Sequence, residues 1–254
     1  MPILFIPGHS DSGADYLDPG QQPWPEQIAS WLSEATGRPF ELRTKRFFPA
    51  GPGAANYFLK VVDESQADAV VIPLSLFTCV VPVVSESVRA RFGARAHRLF
   101  LRFEGGFQGR TTSSGTGRTA NRWARRLARR VLGTRTFASP DEVFAIYSGI
   151  LAGLAARESI LVHVMGDAAF APELQRREPA LVPAIAAFKE RIVPLVRQYR
   201  FTWSDLEDLV GPARGREQLW LDDGVHTTSL SHDYYARHLR QALTDNGTVA
   251  RLMG

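Results

Sequence analysis

The chain has 254 residues, 44% of them hydrophobic and 22% charged, with a formal net charge of +4. That balance excludes a disordered or fibrous chain, and the length suits one large domain with a core of its own. A single cysteine, Cys79, excludes an intrachain disulfide and any thiolate metal cluster.

The positive charge is mostly arginine, because Lys45, Lys60 and Lys189 are the only lysines. The excess is smaller than a dedicated nucleic-acid binder carries, so no nucleic-acid partner is expected. No run reaches the ~18 apolar residues that a bilayer span needs. Residues 1–8 lack both the basic region and the apolar length of a signal peptide. The expectation is a cytoplasmic protein without a membrane span.

Ile3-Leu4-Phe5-Ile6 is a short buried strand that Pro7-Gly8 ends, opening onto the loop Gly8-His9-Ser10-Asp11-Ser12-Gly13. Ile28, Trp31, Leu32 and Ala35 recur at helical spacing and predict a helix over 25–35, closed by Gly37. A second strand is read over 40–47. The loop carrying Gly51 and Gly53 then leads to a helix whose apolar face is assigned to Tyr57, Val61 and Val62. The unbroken apolar run over 69–74 suits a parallel strand covered on both faces.

A helix over 85–92 and a strand over 97–103 come next. The glycine- and serine-rich stretch 104–117 reads as a long loop. Behind it, Ala120, Trp123, Ala124, Leu127 and Val131 set an apolar stripe against Arg118, Arg122, Arg125, Arg126, Arg129 and Arg130 on a basic helix over 120–132. Ser139-Pro140-Asp141-Glu142 has the composition of a helix start with a capping box. A buried strand over 159–165, a helix over 181–199 bent at Pro194, and a short strand over 201–206 follow. The last predicted helix, over 231–243, turns Tyr235, Leu239, Ala242 and Leu243 inward.

Repeated strand-then-helix units imply a three-layer α/β/α fold with a mostly parallel central sheet. The organisation expected is one domain over 1–254, with a flexible loop and basic helix inserted at about 104–133. Ligands of such sheets bind beyond the carboxyl ends of the strands. The loops after the first three strands contain Ser10, Gly51 with Gly53, and Ser75, all on one edge.

Two constellations there carry chemistry. Gly8-His9-Ser10 puts a hydroxyl at a tight turn, beside backbone N–H groups able to hold negative charge. Serine needs a base to take its proton, and histidine has the right unperturbed pKa. Leu221-Asp222-Asp223-Gly224-Val225-His226 supplies one, with Asp223 able to orient the imidazole of His226 across a glycine turn. His9 neighbours the serine and is a candidate pocket residue. His163, inside an apolar strand, reads as a core histidine, while Gly166-Asp167 ends that strand near the cleft. Ser114-Gly115-Thr116-Gly117-Arg118-Thr119 lacks the Gly-Lys-Ser/Thr of a P-loop. No metal-ligand spacing is present, so neither metal nor cofactor is expected.

Gly8-His9-Ser10-Asp11, Ser12-Gly13, Pro23-Trp24-Pro25 and Asp223-Gly224-Val225-His226 together resemble the SGNH/GDSL hydrolase superfamily. The resemblance implies an SGNH/flavodoxin-like fold in which Ser10 is the nucleophile, His226 the base and Asp223 its orienting carboxylate. Gly53 or Gly51 would be the second-block oxyanion glycine. The family's third-block asparagine has no counterpart, since Phe77 stands in its place within Ser75-Leu76-Phe77-Thr78. Asn56, Ser75, Thr78, Thr112 and Ser113 are candidate replacement donors. The implied activity is hydrolysis of an ester or thioester through an acyl-enzyme, on a small acyl substrate for which an anionic group is an option. An O-acyltransferase of the same fold and a non-catalytic binding protein are the alternatives. Oligomeric state stays open.

Overall fold

Five short strands form one sheet in the computed structural model, which describes residues 1–8, 12–13, 17–110, 130–167, 170–206, 219–221 and 224–253, with backbone alone over 102–110. They are β1 (Ile3–Gly8), β2 (Glu41–Arg46), β3 (Ala69–Pro73), β4 (Leu161–Gly166) and β5 (Thr202–Asp205). The helices in chain order are α1 (Trp24–Thr36), α2 (Ala54–Ser65), α3 (Phe77–Val80), α4 (Val84–Arg110), α5 (Pro140–Ala155), α6 (Pro172–Arg177), α7 (Leu181–Gln198), α8 (Ser229–Asp245) and α9 (Thr248–Met253). Two compact units result: 1–76 with 140–254, and 77–139.

In the first unit the strand order is β2-β1-β3-β4-β5 and every pair is parallel. The chain steps outward from β1 to β2, then returns to lay β3 on the other side of β1. In open α/β sheets, ligands bind beyond the carboxyl ends of the strands at such a reversal.

Alternation along the strands sorts the core into two layers. Leu4, Ile6, Ala69, Val71 and Met165 face Trp24, Ile28 and Leu32 of α1 and Tyr235, Leu239 and Leu243 of α8. Phe5 points the other way and meets Phe58 of α2 edge-on, with ring centroids 5.9 Å apart. On that side α5 packs against both α2 and α7. The α2–α5 contact is close because Gly149 and Gly153 of α5 oppose Ala55 and Leu59 of α2. All five residues of β3 are buried, as its apolar run requires. β2 is an edge strand, and the outward-facing Lys45 and Arg46 discourage pairing with another chain. This is the three-layer α/β/α fold expected from the sequence.

Three local readings are corrected. Residues 97–103 are helical, not a strand, and the helix runs on over 104–110, the first half of the stretch read as a loop. No β-branched residue occurs between 94 and 110, and alanine, arginine and leucine dominate 94–102, so local propensity favours helix over strand. On α2 the buried face is Phe58, Val61 and Val62, while Tyr57 is 44% exposed. The helix begins at Ala54, after Gly53 in the left-handed region (φ 81°), and that start turns Phe58 rather than Tyr57 inward. The C-terminal helix starts two residues earlier than predicted, and α9 follows it unannounced. Of the predicted basic helix over 120–132, residues 120–129 lie outside the described residues and 130–132 are helical.

The second unit is built on α4 and a short pairing. Val83 and Arg135 exchange both backbone hydrogen bonds, at 2.8 and 3.0 Å, and the Thr78 carbonyl accepts from Phe137 and Ala138. Gly93 interrupts α4 at φ 80°, ψ 178°, a conformation nearly reserved for glycine. Glu86 on one side of the break lies 3.5 Å from Nε2 of His97 on the other. No helix among the described residues is long and apolar enough to cross a membrane.

Candidate active site at the carboxyl edge of the sheet

All strands being parallel, the loops after β1, β2, β3 and β4 leave the sheet at one edge. Gly8 ends β1, and its carbonyl accepts the Phe47 N–H at 2.9 Å, which ties the loop after β2 to it. Ser12 is buried, and its Oγ lies 3.6 Å from where a Cβ on Gly8 would stand. His9 and Ser10 lie outside the described residues.

Gly51 (φ 84°) and Gly53 (φ 81°) both occupy the left-handed region, and Gly53 precedes α2. Those angles would strain any residue with a Cβ, so the turn into α2 depends on them. Asn56 sits in the first turn of α2 and is exposed.

The loop after β3 is held by two side chains. The Ser75 N–H donates to the Tyr147 hydroxyl at 2.9 Å, and the Leu76 N–H donates to Asp167 Oδ2 at 2.8 Å. These two N–H groups are thereby engaged. Asp167 directly follows β4. Tyr147 was not singled out from sequence, because at helical spacing from Val143, Ile150 and Leu151 it reads as one more core residue. Its signal was a hydroxyl on an otherwise aliphatic face. Thr78 belongs to the second unit, and Thr112 and Ser113 lie outside the described residues.

His226 is half-buried in a tight hairpin-like turn. Its carbonyl accepts the Leu221 N–H at 2.8 Å, Gly224 N–H donates to the Leu221 carbonyl at 2.8 Å, and Trp220 bridges Thr227. Gly224 has φ 75°, a Cβ on it would crowd Ala171 and Leu174, just beyond the carboxyl end of β4, and its carbonyl accepts the Ala171 N–H at 3.2 Å. Asp223 lies outside the described residues.

The same segment is also bonded to the connection between β1 and α1. Asp18 N–H donates to Ser229 Oγ at 2.9 Å, and Trp24 N–H donates to His232 Nδ1 at 3.1 Å. Residues 224–232 thus link the segment after β4 to the connection between β1 and α1.

His163 is a core histidine, as read from sequence. It is 1% exposed, with Nδ1 2.9 Å from Thr202 Oγ1 and Nε2 2.9 Å from Ser204 Oγ. Burial, with a smaller contribution from the charge of His238, lowers its pKa to about 3. Beside β5, Lys189 Nζ is 2.8 Å from Asp205 Oδ1.

No protein-family model matches this sequence, and no curated protein matches it. Solved structures do match. A protein described as a GDSL-like lipase from Parabacteroides merdae aligns with a TM-score of 0.57 at 11% identity, over 95% of this chain and 94% of its own. The lipase Lip_vut3 from a goat rumen metagenome aligns at 0.53 and 10% identity, over 95% and 97%. A lipase/acylhydrolase from Enterococcus faecalis aligns at 0.52 and 11% identity, over 98% and 97%. The chain shares the three-layer fold of these GDSL-like lipases, in agreement with the resemblance carried by its first and last motifs.

Proposed function

We propose that this protein is a serine-dependent hydrolase of esters or thioesters that works through an acyl-enzyme. Ser10 Oγ attacks the substrate carbonyl while His226 takes its proton. The tetrahedral oxyanion collapses, His226 gives the proton to the leaving alcohol or thiol, and the acyl group stays on Ser10. Water, deprotonated by His226, then releases the acid. Asp223 orients the imidazole and stabilises its charged form. The Ser10 N–H and that of Gly53 or Gly51 are the assigned oxyanion donors, with Asn56, the Ser75 hydroxyl and His9 as candidates for the remaining one.

One observation carries the reading. Ser229 and His232, shortly after His226 in the chain, accept hydrogen bonds from Asp18 and Trp24, so segments more than 200 residues apart in sequence meet. The fold shared with GDSL-like lipases supports it.

The test is covalent labelling by a fluorophosphonate, with the site found by mass spectrometry. Ser10 should be modified, S10A should not react, and H226A should react roughly a thousandfold more slowly. A folded wild-type protein that resists labelling from mildly acidic to mildly basic pH would count for a binding protein instead. A panel of esters and thioesters, run beside S10A, then identifies the leaving group.

A further inference from the structure

The charge of this chain is segregated. Residues 77–139 contain thirteen arginines and no lysine, against only Glu86 and Glu104, for a formal +11. The other 191 residues therefore carry −7 of the chain's net +4. Nearly the whole basic character of the protein belongs to the second unit.

Its described surface is apolar as well as basic. Residues 89–95 are all exposed, including Arg89, Arg91 and Arg95, and Arg98 and Arg130 are exposed too. Among them Phe92 is 60%, Leu99 57%, Leu101 45% and Val131 65% exposed. The Arg91 guanidinium donates to the Val131 carbonyl at 3.4 Å, which joins the 130–131 segment to this stretch. On α4, Arg95, Arg98 and Leu99 are three and four residues apart and so share a face. Glu86 lies 3.5 Å from Arg89.

We propose that this unit docks on an anionic phospholipid surface. Arginines interleaved with large apolar side chains satisfy both demands of a headgroup boundary: cations for phosphate and acyl-contacting groups for the layer beneath. Single-stranded nucleic acid would neutralise the arginines and stack a base on Phe92, but it offers nothing to the aliphatic Leu99, Leu101 and Val131. The apolar exposure therefore decides for lipid.

The experiment is cosedimentation of the full chain with vesicles of phosphatidylcholine mixed with phosphatidylglycerol. Pure phosphatidylcholine vesicles and a single-stranded RNA oligonucleotide serve as comparisons. The protein should bind the mixed vesicles, bind pure phosphatidylcholine far less, and be released as salt rises. R91Q/R95Q/R98Q should weaken binding by about a hundredfold, at roughly fivefold per arginine lost, and F92S/L99S/V131S by about tenfold or more. S10A should bind like wild type, so vesicle binding and ester chemistry stand or fall separately. All six substituted residues are exposed, and circular dichroism verifies their folding. The wild-type salt and oligonucleotide comparisons decide even where a variant misfolds. Absence of binding to the mixed vesicles would overturn the proposal, as would an apolar variant that binds undiminished. Tighter binding to the oligonucleotide than to the vesicles would assign the face to nucleic acid instead.

Discussion

The backbone N–H of Trp24 donates to Nδ1 of His232 at 3.1 Å, across 208 residues of sequence. Trp24 is the first residue of α1, and Pro23 before it offers no side-chain cap. A helix start leaves its first N–H groups without intrahelical partners, and here a histidine from the C-terminal helix accepts one of them. Both residues are buried, so the bond closes a core position and fixes where the tail of the chain meets the head. Nδ1 being the acceptor, the ring proton sits on Nε2.

H232A should leave the Trp24 N–H buried and unpaired, costing about 2 kcal/mol. It should also slow labelling of Ser10, because the turn bearing His226 loses an anchor. H232N keeps an acceptor near Nδ1 and should recover much of both. Denaturant titration beside labelling rates checks this; equal loss in the two variants would make the ring's bulk, not the hydrogen bond, responsible.

Gly224 sits at φ 75°, and a Cβ there would lie 3.3 Å from the Cβ atoms of Ala171 and Leu174. G224A should cost about 1–2 kcal/mol for the left-handed backbone alone, with further loss from crowding. Because the strain falls two residues before His226, the fluorophosphonate rate should fall more than global stability does. A thermal melt combined with the labelling rate distinguishes the two effects.

Asp167 and Tyr147 hold consecutive N–H groups of the loop after β3. D167N retains an acceptor for Leu76 and should label at close to the wild-type rate. D167A should be slower by roughly ten- to a hundredfold, as expected when a loop beside a reacting centre shifts by about an ångström. Identical rates for D167A and wild type would remove this loop from the site.

His163 makes a prediction about acid. Its folded pKa is about 3, below the ordinary 6.5. Between those values the unfolded chain takes up a proton that the folded one refuses. The histidine therefore favours folding above pH 6.5, and that contribution is lost as pH falls, at about 1.4 kcal/mol per unit. H163Q, which can still hydrogen-bond but does not titrate, should lose less stability than wild type between pH 7 and 4.5. Parallel losses in chemical denaturation would show that carboxylates alone set the acid sensitivity.

Much of the frame was legible because it rests on local chemistry. β3 announced itself by an apolar run that only a strand covered on both sides tolerates, and α1 by residues at helical spacing ended by Gly37, which takes the left-handed cap at φ 65°. The helix over 97–103 escapes for the same reason: Leu99-Phe100-Leu101 is a short apolar run, which by itself fits a strand as well as a helix. Only the absence of β-branched residues distinguished them.

The sequence by itself determined the alternation of strands and helices, the glycines at the turns, and the residue types able to move a proton and attack a carbonyl. These are properties of short windows, in which dihedral preference and hydrophobic period act directly. Tertiary structure alone decided that β3 returns beside β1, that His232 caps α1, and that Tyr147 and Asp167 hold the loop after β3. Those contacts join residues dozens to hundreds of positions apart, and each depends on burial and geometry that exist only once the layers have packed.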